Sequence, residues 1–320
     1  MRIRFAIGFF ALFAFAFFDT GFARAQQCEL KRYISLDMHE SPSGDILVEV
    51  MIEHTPRLMI VDTGGVVSEV AENVANELKL PQREIPPDTL IYGVDGTRMK
   101  QYVTVHALDA GIIHSDKWVA LMAPANPDWT AQNIAGVLAP DFLKNFDLEF
   151  DFAAKKLNLF SQDHCEGQVV YWANESTSIP FDLSEEGHIN ITLSLDGEEL
   201  RGALDTGATI TTLLAPKAHA LFGIDENSPG VVHEPDGSLS HVQLHTLNVA
   251  GITVQNPTIY LLPDAVNSAY MSEMGTSFFA ADVQKRLGPQ MLLGTNVLRK
   301  LHLYIAYKEH KVYATAVDAH

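Results

Sequence analysis

Residues Ile34–Gly64 read ISLDMHESPSGDILVEVMIEHTPRLMIVDTG, and residues Ile179–Gly207 read IPFDLSEEGHINITLSLDGEELRGALDTG. Each stretch carries an alternating apolar run, a turn, a second apolar run and a closing Asp-Thr-Gly, with two residues fewer in the second copy. The correspondence continues downstream. Asp95-Gly96-Thr97 answers to Asp236-Gly237-Ser238, Val103–His106 to Val242–His245, Pro124 to Pro263, and Gly136–Leu143 to Met291–Leu298. One ancestral unit has been used twice, and any chemistry that needs two equivalent groups becomes available to a single chain.

Within each copy the periodicity is that of strands. Ile46–Val50 and Ile189–Leu193 alternate apolar with polar residues, as half-buried strands do. Asp95-Gly96 and Asp236-Gly237 stand between strand-like runs, where glycine tolerates the backbone of a tight hairpin. Two short helices are expected, one on the four-residue spacing of Val70, Val74 and Leu78, the other from Pro216 to Phe222 with Gly223 as its stop. His106 and His245 fall at equivalent strand positions and read as packing or surface residues rather than ligands. Glu166–Ser178 matches neither copy. The mature chain therefore divides near residue 170, into an N-terminal lobe of residues 26–170 and a C-terminal lobe of residues 171–320.

Composition supports a large folded core: 47% of the 320 residues are hydrophobic and 19% charged. With 22 basic against 40 acidic residues, net charge −18, the chain repels phosphate backbones and anionic headgroups, so nucleic acid is not an expected partner. The 15 Pro and 21 Gly add to the β reading. Residues 1–25 form a leader: Arg2 and Arg4, an apolar run from Phe5 to Phe18, and Ala23-Arg24-Ala25 as a small-x-small cleavage site. The run is shorter than the roughly 20 residues of a spanning helix, and no later segment is long and apolar enough to span a bilayer. Export, to a periplasm or the exterior, makes a disulfide permissible. Cys28 and Cys165, the only two cysteines, are expected to pair. A third Asp-Thr-Gly, Asp19-Thr20-Gly21, lies in the leader without a downstream partner motif and is assigned no role.

Two Asp-Thr-Gly tripeptides in register within a duplicated β-rich chain resemble the bilobal pepsin-like and retropepsin-like aspartic proteases. The resemblance spans almost all of the mature chain. It implies a mostly β, bilobal fold of two duplicated barrel-like lobes with a cleft between them, and a monomeric endopeptidase acting on peptides or proteins. No metal or organic cofactor is implied. Asp62 and Asp205 are then the catalytic pair. Thr63 and Thr206 hydrogen-bond across to the opposite loop, and Gly64 and Gly207 let the loops approach. Tyr92-Gly93-Val94-Asp95-Gly96 looks like the start of a flap that closes over substrate, with Tyr92, Gly93 and Gly96 its notable residues; a strand tyrosine packing one lobe is the alternative.

The chemistry accounts for the pairing. Hydrolysis by this route holds a water between two carboxyls, one ionised to take its proton and one protonated to donate toward the carbonyl oxygen. Like charges a few ångströms apart do not both ionise readily, so the pair shares a proton; such dyads are the standard illustration of coupled titration. Two departures from the family pattern stand out. Gly65 follows the first Asp-Thr-Gly where Ala or Ser is usual, and Ala139 replaces the glycine that the second copy keeps as Gly294. No His-Glu-x-x-His, Gly-x-Ser-x-Gly or phosphate-binding loop offers another chemistry. An inactive exported homologue that binds peptides or a protein partner in its cleft is the competing reading from another functional class.

Overall fold

The computed structural model describes residues 29–89, 91, 98–234, 239–263 and 289–317. The expected leader, Cys28, the flap residues Tyr92, Gly93 and Gly96, and the second hairpin tip Asp236-Gly237 lie outside the described residues. The fold is mostly β, as expected, with its strands in two sheets.

The duplicated stretches fold alike. Strands Ile46–Ile52 and Ile189–Leu195 have the same burial along their length, three buried positions followed by alternation. Each turns back through two positive-φ residues, Glu53 and His54 in one copy and Asp196 and Gly197 in the other, as a tight antiparallel hairpin requires. The acidic residue that opens each turn has a second task. Glu53 accepts hydrogen bonds from the amides of His106 and Ala107, and Asp196 from those of His245 and Thr246. His106 and His245 therefore sit at bends between strands rather than within them, a correction to the sequence reading, and their equivalence reflects a shared turn clasp.

After each hairpin the returning strand, Thr55–Val61 or Glu198–Leu204, runs parallel to a strand from much later in the copy, Ile134–Leu138 or Met291–Leu293. The chain beyond each Asp-Thr-Gly crosses over and pairs antiparallel on the other side of that same late strand, as Glu69–Ala71 and Thr212–Leu214. The crossing needs close backbone approach: a Cβ on Gly136 would overlap the carbonyl of Glu69. Sheet pairing also overrides the first expected helix. Val70 belongs to strand Glu69–Ala71, which is paired on both sides, and only Glu72–Glu77 is helical. The second helix, Ala215–Phe222, keeps its expected stop, with Gly223 in the left-handed region at φ 66°.

The halves are joined by a six-stranded bridge at one end of the larger sheet. Its order is Arg32–Asp37, Lys156–Phe160, Asp147–Asp151, Leu301–Ala306, Lys311–Ala316 and Thr177–Leu183, three strands from each copy. The seam pairs Leu148 with Ile305 and Phe150 with Leu303. Strand Leu301–Ala306 is buried on both faces and so reads as a continuous apolar run. Toward the lobes it presents Leu301, Leu303 and Ile305 to a core shared by both copies. Toward the outside, Tyr304 and Ala306 are covered by Val169, Val170 and Trp172 of the segment between the copies.

Two buried carboxylates occupy that outer face, and both are partnered, as burial of charge demands. Asp147 meets His164 Nε2 at 2.6 Å and accepts the Tyr307 amide at 2.9 Å. Glu149 meets His302 Nε2 at 2.9 Å and accepts from Asn158 Nδ2 and the Tyr171 hydroxyl, each at 2.7 Å. Trp172 stacks on the His302 ring at 4.1 Å. None of these residues was singled out from sequence, because their pairing is set by strand register and not by local spacing.

Candidate active site

Each Asp-Thr-Gly begins where its strand ends, and the late parallel strand fixes the point. The Asp62 amide donates to the Leu138 carbonyl at 3.0 Å, and the Asp205 amide to the Leu293 carbonyl at 3.1 Å. Both loops then point into the space between the copies and lock together through their threonines. The Thr63 amide donates to Thr206 Oγ1 at 3.0 Å, and the Thr206 amide to Thr63 Oγ1 at 3.1 Å. The hydroxyls pass the bond on: Thr63 Oγ1 donates to the Leu204 carbonyl at 2.9 Å and Thr206 Oγ1 to the Val61 carbonyl at 2.7 Å. Both side chains are enclosed, at 0% and 2% exposure, so this four-bond clasp works in a low-dielectric setting where an unmade bond is costly.

The clasp brings Asp62 and Asp205 together, each carboxyl lying against the glycine of the other loop. Each Oδ1 accepts two backbone amides of its own loop. Asp62 takes those of Gly64 and Gly65, both at 2.8 Å, and Asp205 those of Gly207 and Ala208, at 2.9 and 3.0 Å. The glycines are needed across the pair, not within the loop. A Cβ on Gly64 would overlap the Asp205 carboxyl, and one on Gly207 would overlap that of Asp62. Gly64→Ala is thus expected to push the carboxyls apart and lower turnover about 10²-fold, as misplacement by an ångström does; steady-state kinetics of the folded variant checks this.

The two departures from the family pattern face each other in the first copy. A Cβ on Gly65 would lie 3.3 Å from the Ala139 methyl and 2.8 Å from Asp62 Oδ2. In the second copy the methyl sits on Ala208 instead, and a Cβ on Gly294 would overlap the Ile210 carbonyl and come within 2.8 Å of that of Ala208.

Behind each loop lies a support that sequence reading missed. Ser68 Oγ accepts the Ala139 amide at 2.9 Å and donates to Asp141 Oδ1 at 2.6 Å. Its counterpart, Thr211 Oγ1, accepts the Gly294 amide at 3.0 Å and donates to Asn296 Oδ1 at 2.7 Å. The signal was present as two hydroxyl residues at the same distance after each Asp-Thr-Gly, and two carboxyl or amide residues at the same place in the later motif.

Burial raises the affinity of both catalytic candidates for a proton. Asp205 is pushed up to about 7, first by desolvation and then by the charge of Asp62, against the opposing pull of the Ala208 and Gly207 amides. Asp62 is also raised by desolvation, but the amides of Gly64 and Gly65, the hydrogen bond from Asp205 and the charge of His188 all favour its ionised form. Between the two proton-loss steps of the pair the single proton therefore rests on Asp205, with Asp62 the carboxylate. Among the described residues no cluster of three or more His, Cys, Asp or Glu could hold a metal ion, and no helix is long and apolar enough to cross a membrane.

Residues 191–297 match the family model described as aspartyl protease, about a third of the chain and most of the second copy. The aspartic proteinase from Irpex lacteus has a similar structure, with a TM-score of 0.53 over 89% of this chain and 97% of that one, at 13% sequence identity. No curated protein matches the sequence. The fold is that of the pepsin-like aspartic proteinases.

Proposed function

We propose that this chain is an aspartic endopeptidase, exported by its first 25 residues and acting as a monomer of two lobes, residues 26–170 and 171–320. The single observation that carries the reading is the reciprocal packing of the loops, in which each glycine abuts the other loop's carboxyl and the threonines bond across. A water held between the carboxyls loses a proton to Asp62 as its oxygen attacks the peptide carbonyl carbon, while Asp205 donates its proton to the carbonyl oxygen. In the second step the tetrahedral intermediate collapses. A hydroxyl proton returns to Asp205, the C–N bond breaks, and the proton on Asp62 passes to the leaving amine, which restores the pair. The substrate is a peptide in extended form, the shape that can lie along a cleft between two sheets.

The test is cleavage of a mixed peptide library by the mature chain from acid to neutral pH, with Asp205→Asn as control. Cleavage by the wild type alone is the expected result; binding of peptides without cleavage would favour the inactive homologue. For the exported protein, intact mass after alkylation without reductant should show no modified thiol, because Cys28 and Cys165 are paired. Two alkylated cysteines would rule the pairing out.

A further inference from the structure

Each catalytic candidate is tied by its backbone to a chain of hydrogen bonds that runs through the late strand. The Asp62 amide donates to the Leu138 carbonyl at 3.0 Å, and the amide of the same peptide unit, that of Ala139, donates to Ser68 Oγ at 2.9 Å. Ser68 Oγ in turn donates to Asp141 Oδ1 at 2.6 Å. The Asp205 amide starts the equivalent chain through the Leu293–Gly294 peptide unit, Thr211 Oγ1 and Asn296 Oδ1, with steps of 3.1, 3.0 and 2.7 Å. Every donor in both chains points the same way, so each bond polarises the next. Ser68 and Thr211 are both fully enclosed, where such bonds are strongest.

The chains differ at their far ends. Asn296 ends the second with a neutral amide, and it uses that amide: its Nδ2 donates to the Thr258 carbonyl at 3.3 Å, where a carboxylate oxygen would meet another acceptor. Asp141 ends the first with a group that can carry charge. One oxygen, Oδ1, takes both the hydroxyl and the amide of Ser68, the latter at 2.9 Å, and the hydroxyl contact lies in the range of charge-assisted bonds. Burial raises the proton affinity of Asp141, and the Ser68 hydroxyl and amide, with the amides of Phe142 and of Asp141 itself, oppose the rise. The titratable groups on the segments packed around it are Asp62 and Glu69 on either side of the Ser68 loop, Lys144 at the end of helix Pro140–Leu143, and Glu186 and His188 on the hairpin whose Gly187 abuts Pro140. A duplicated site has thereby become unequal in its support.

We propose that Asp141 is a positioning residue of the peptide-cleaving site, its carboxylate anchoring the Asp62 backbone through Ser68 and the Leu138–Ala139 peptide unit more firmly than neutral Asn296 anchors that of Asp205. The catalytic consequence rests on the proposed endopeptidase reading, but the anchoring chain does not depend on turnover. A hydrogen bond to an ionised acceptor is roughly twice as strong as one between neutral groups, and in a chain of aligned donors the gain is passed back toward Asp62. Protonation of Asp141 removes that gain. Because burial raises its proton affinity, the carboxylate is lost on acidification at a higher pH than an ordinary aspartate loses its charge. The Asp62 loop then slackens in acid, and Asp141 adds a step to the acid limb beyond that of the carboxyl pair.

The experiment follows the backbone amides of Ser68, Ala139 and Asp62 by ¹⁵N NMR and the Asp141 carboxyl by ¹³C NMR across the acid range, in the mature wild type and in Asp141→Asn, beside the pH profiles of kcat and KM. In the wild type the three amides should share an inflection at the pH where the Asp141 carboxyl titrates. In Asp141→Asn, which copies the ending of the second chain, that inflection should vanish from all three. There kcat at neutral pH should fall about threefold with KM unchanged, and the acid limb should lose one step. An inflection confined to Ser68, or one that persists at the same pH at Ala139 in a folded Asp141→Asn protein, overturns the proposal. An acid limb identical in the two proteins does so too. Should the variant not fold, the wild type decides: Ala139 and Asp62 amides that do not inflect with the Asp141 carboxyl are equally fatal. A wild type that cleaves nothing defeats the endopeptidase reading, while the amide titration still settles the role of Asp141.

Discussion

Asp205→Asn is expected to lower kcat/KM by about 10⁴-fold or more while making the protein more stable at neutral pH. The loss follows from the mechanism: Asn holds no proton that it can give to the carbonyl oxygen and take back, and Asp62 alone supplies only the base. The gain follows from linkage. Asp205 has a folded-state pKa of about 7 against an ordinary 3.8, so between these values the folded protein keeps a proton that the unfolded chain has released. The contribution of Asp205 to stability therefore falls as pH rises through that window and is lowest above pH 7. Replacing it with neutral Asn removes a penalty of up to about 4 kcal/mol there and almost none below pH 4. Asp62→Asn should abolish turnover equally. Denaturant unfolding of wild type and Asp205→Asn at pH 4 and pH 8 checks the stability half, and a difference that does not grow with pH would mean that the carboxyls are not coupled as described.

Much of this site was legible because its signals are local and occur twice. The Asp-Thr-Gly tripeptides, the alternation in Ile46–Val50 and Ile189–Leu193, and the Pro216 to Gly223 helix each depend on neighbours in sequence, and the structure has strands at the alternating runs, a helix at the last and a loop closing a strand at each tripeptide. What could not be read depends on register between distant strands. Asp147 and Glu149 look like surface positions until strand Leu301–Ala306 is laid beside them and brings His302 and Tyr304 to their face. Ser68 and Thr211 carry no meaning until the late strand passes through the loop and presents Ala139 or Gly294 to the hydroxyl. The error at Val70 has the same origin: a four-residue spacing is a helical signal only where no sheet competes for the segment, and here two neighbours pair with it.

Thr63→Val is expected to cost about 2–5 kcal/mol of stability and to reduce turnover about 10²-fold, although the residue touches neither water nor substrate in the proposed mechanism. Valine fills the same volume, so packing is conserved and the change isolates the hydroxyl. Two bonds are lost, the one donated to the Leu204 carbonyl and the one accepted from the Thr206 amide, and both former partners stay in a region that excludes water. The partners are backbone groups, so no side-chain rearrangement can turn them outward, and their desolvation is uncompensated. Thr206→Val removes the other two bonds and should cost a similar amount, whereas Thr63→Ser retains the hydroxyl and should cost little more than a lost methyl, about 1 kcal/mol. Turnover falls because the clasp is what holds Gly64 against Asp205 and Gly207 against Asp62. If it loosens, the carboxyls no longer share a proton at fixed distance, and Asp205 should titrate closer to an ordinary aspartate. The readouts are urea unfolding, kcat, and the upper proton-loss step of the pair, all on one purified variant. A Thr63→Val protein within 1 kcal/mol of wild type and with an unmoved upper step would show that the two loops keep their places without the clasp, and that the contacts of the glycines alone position the acid and the base.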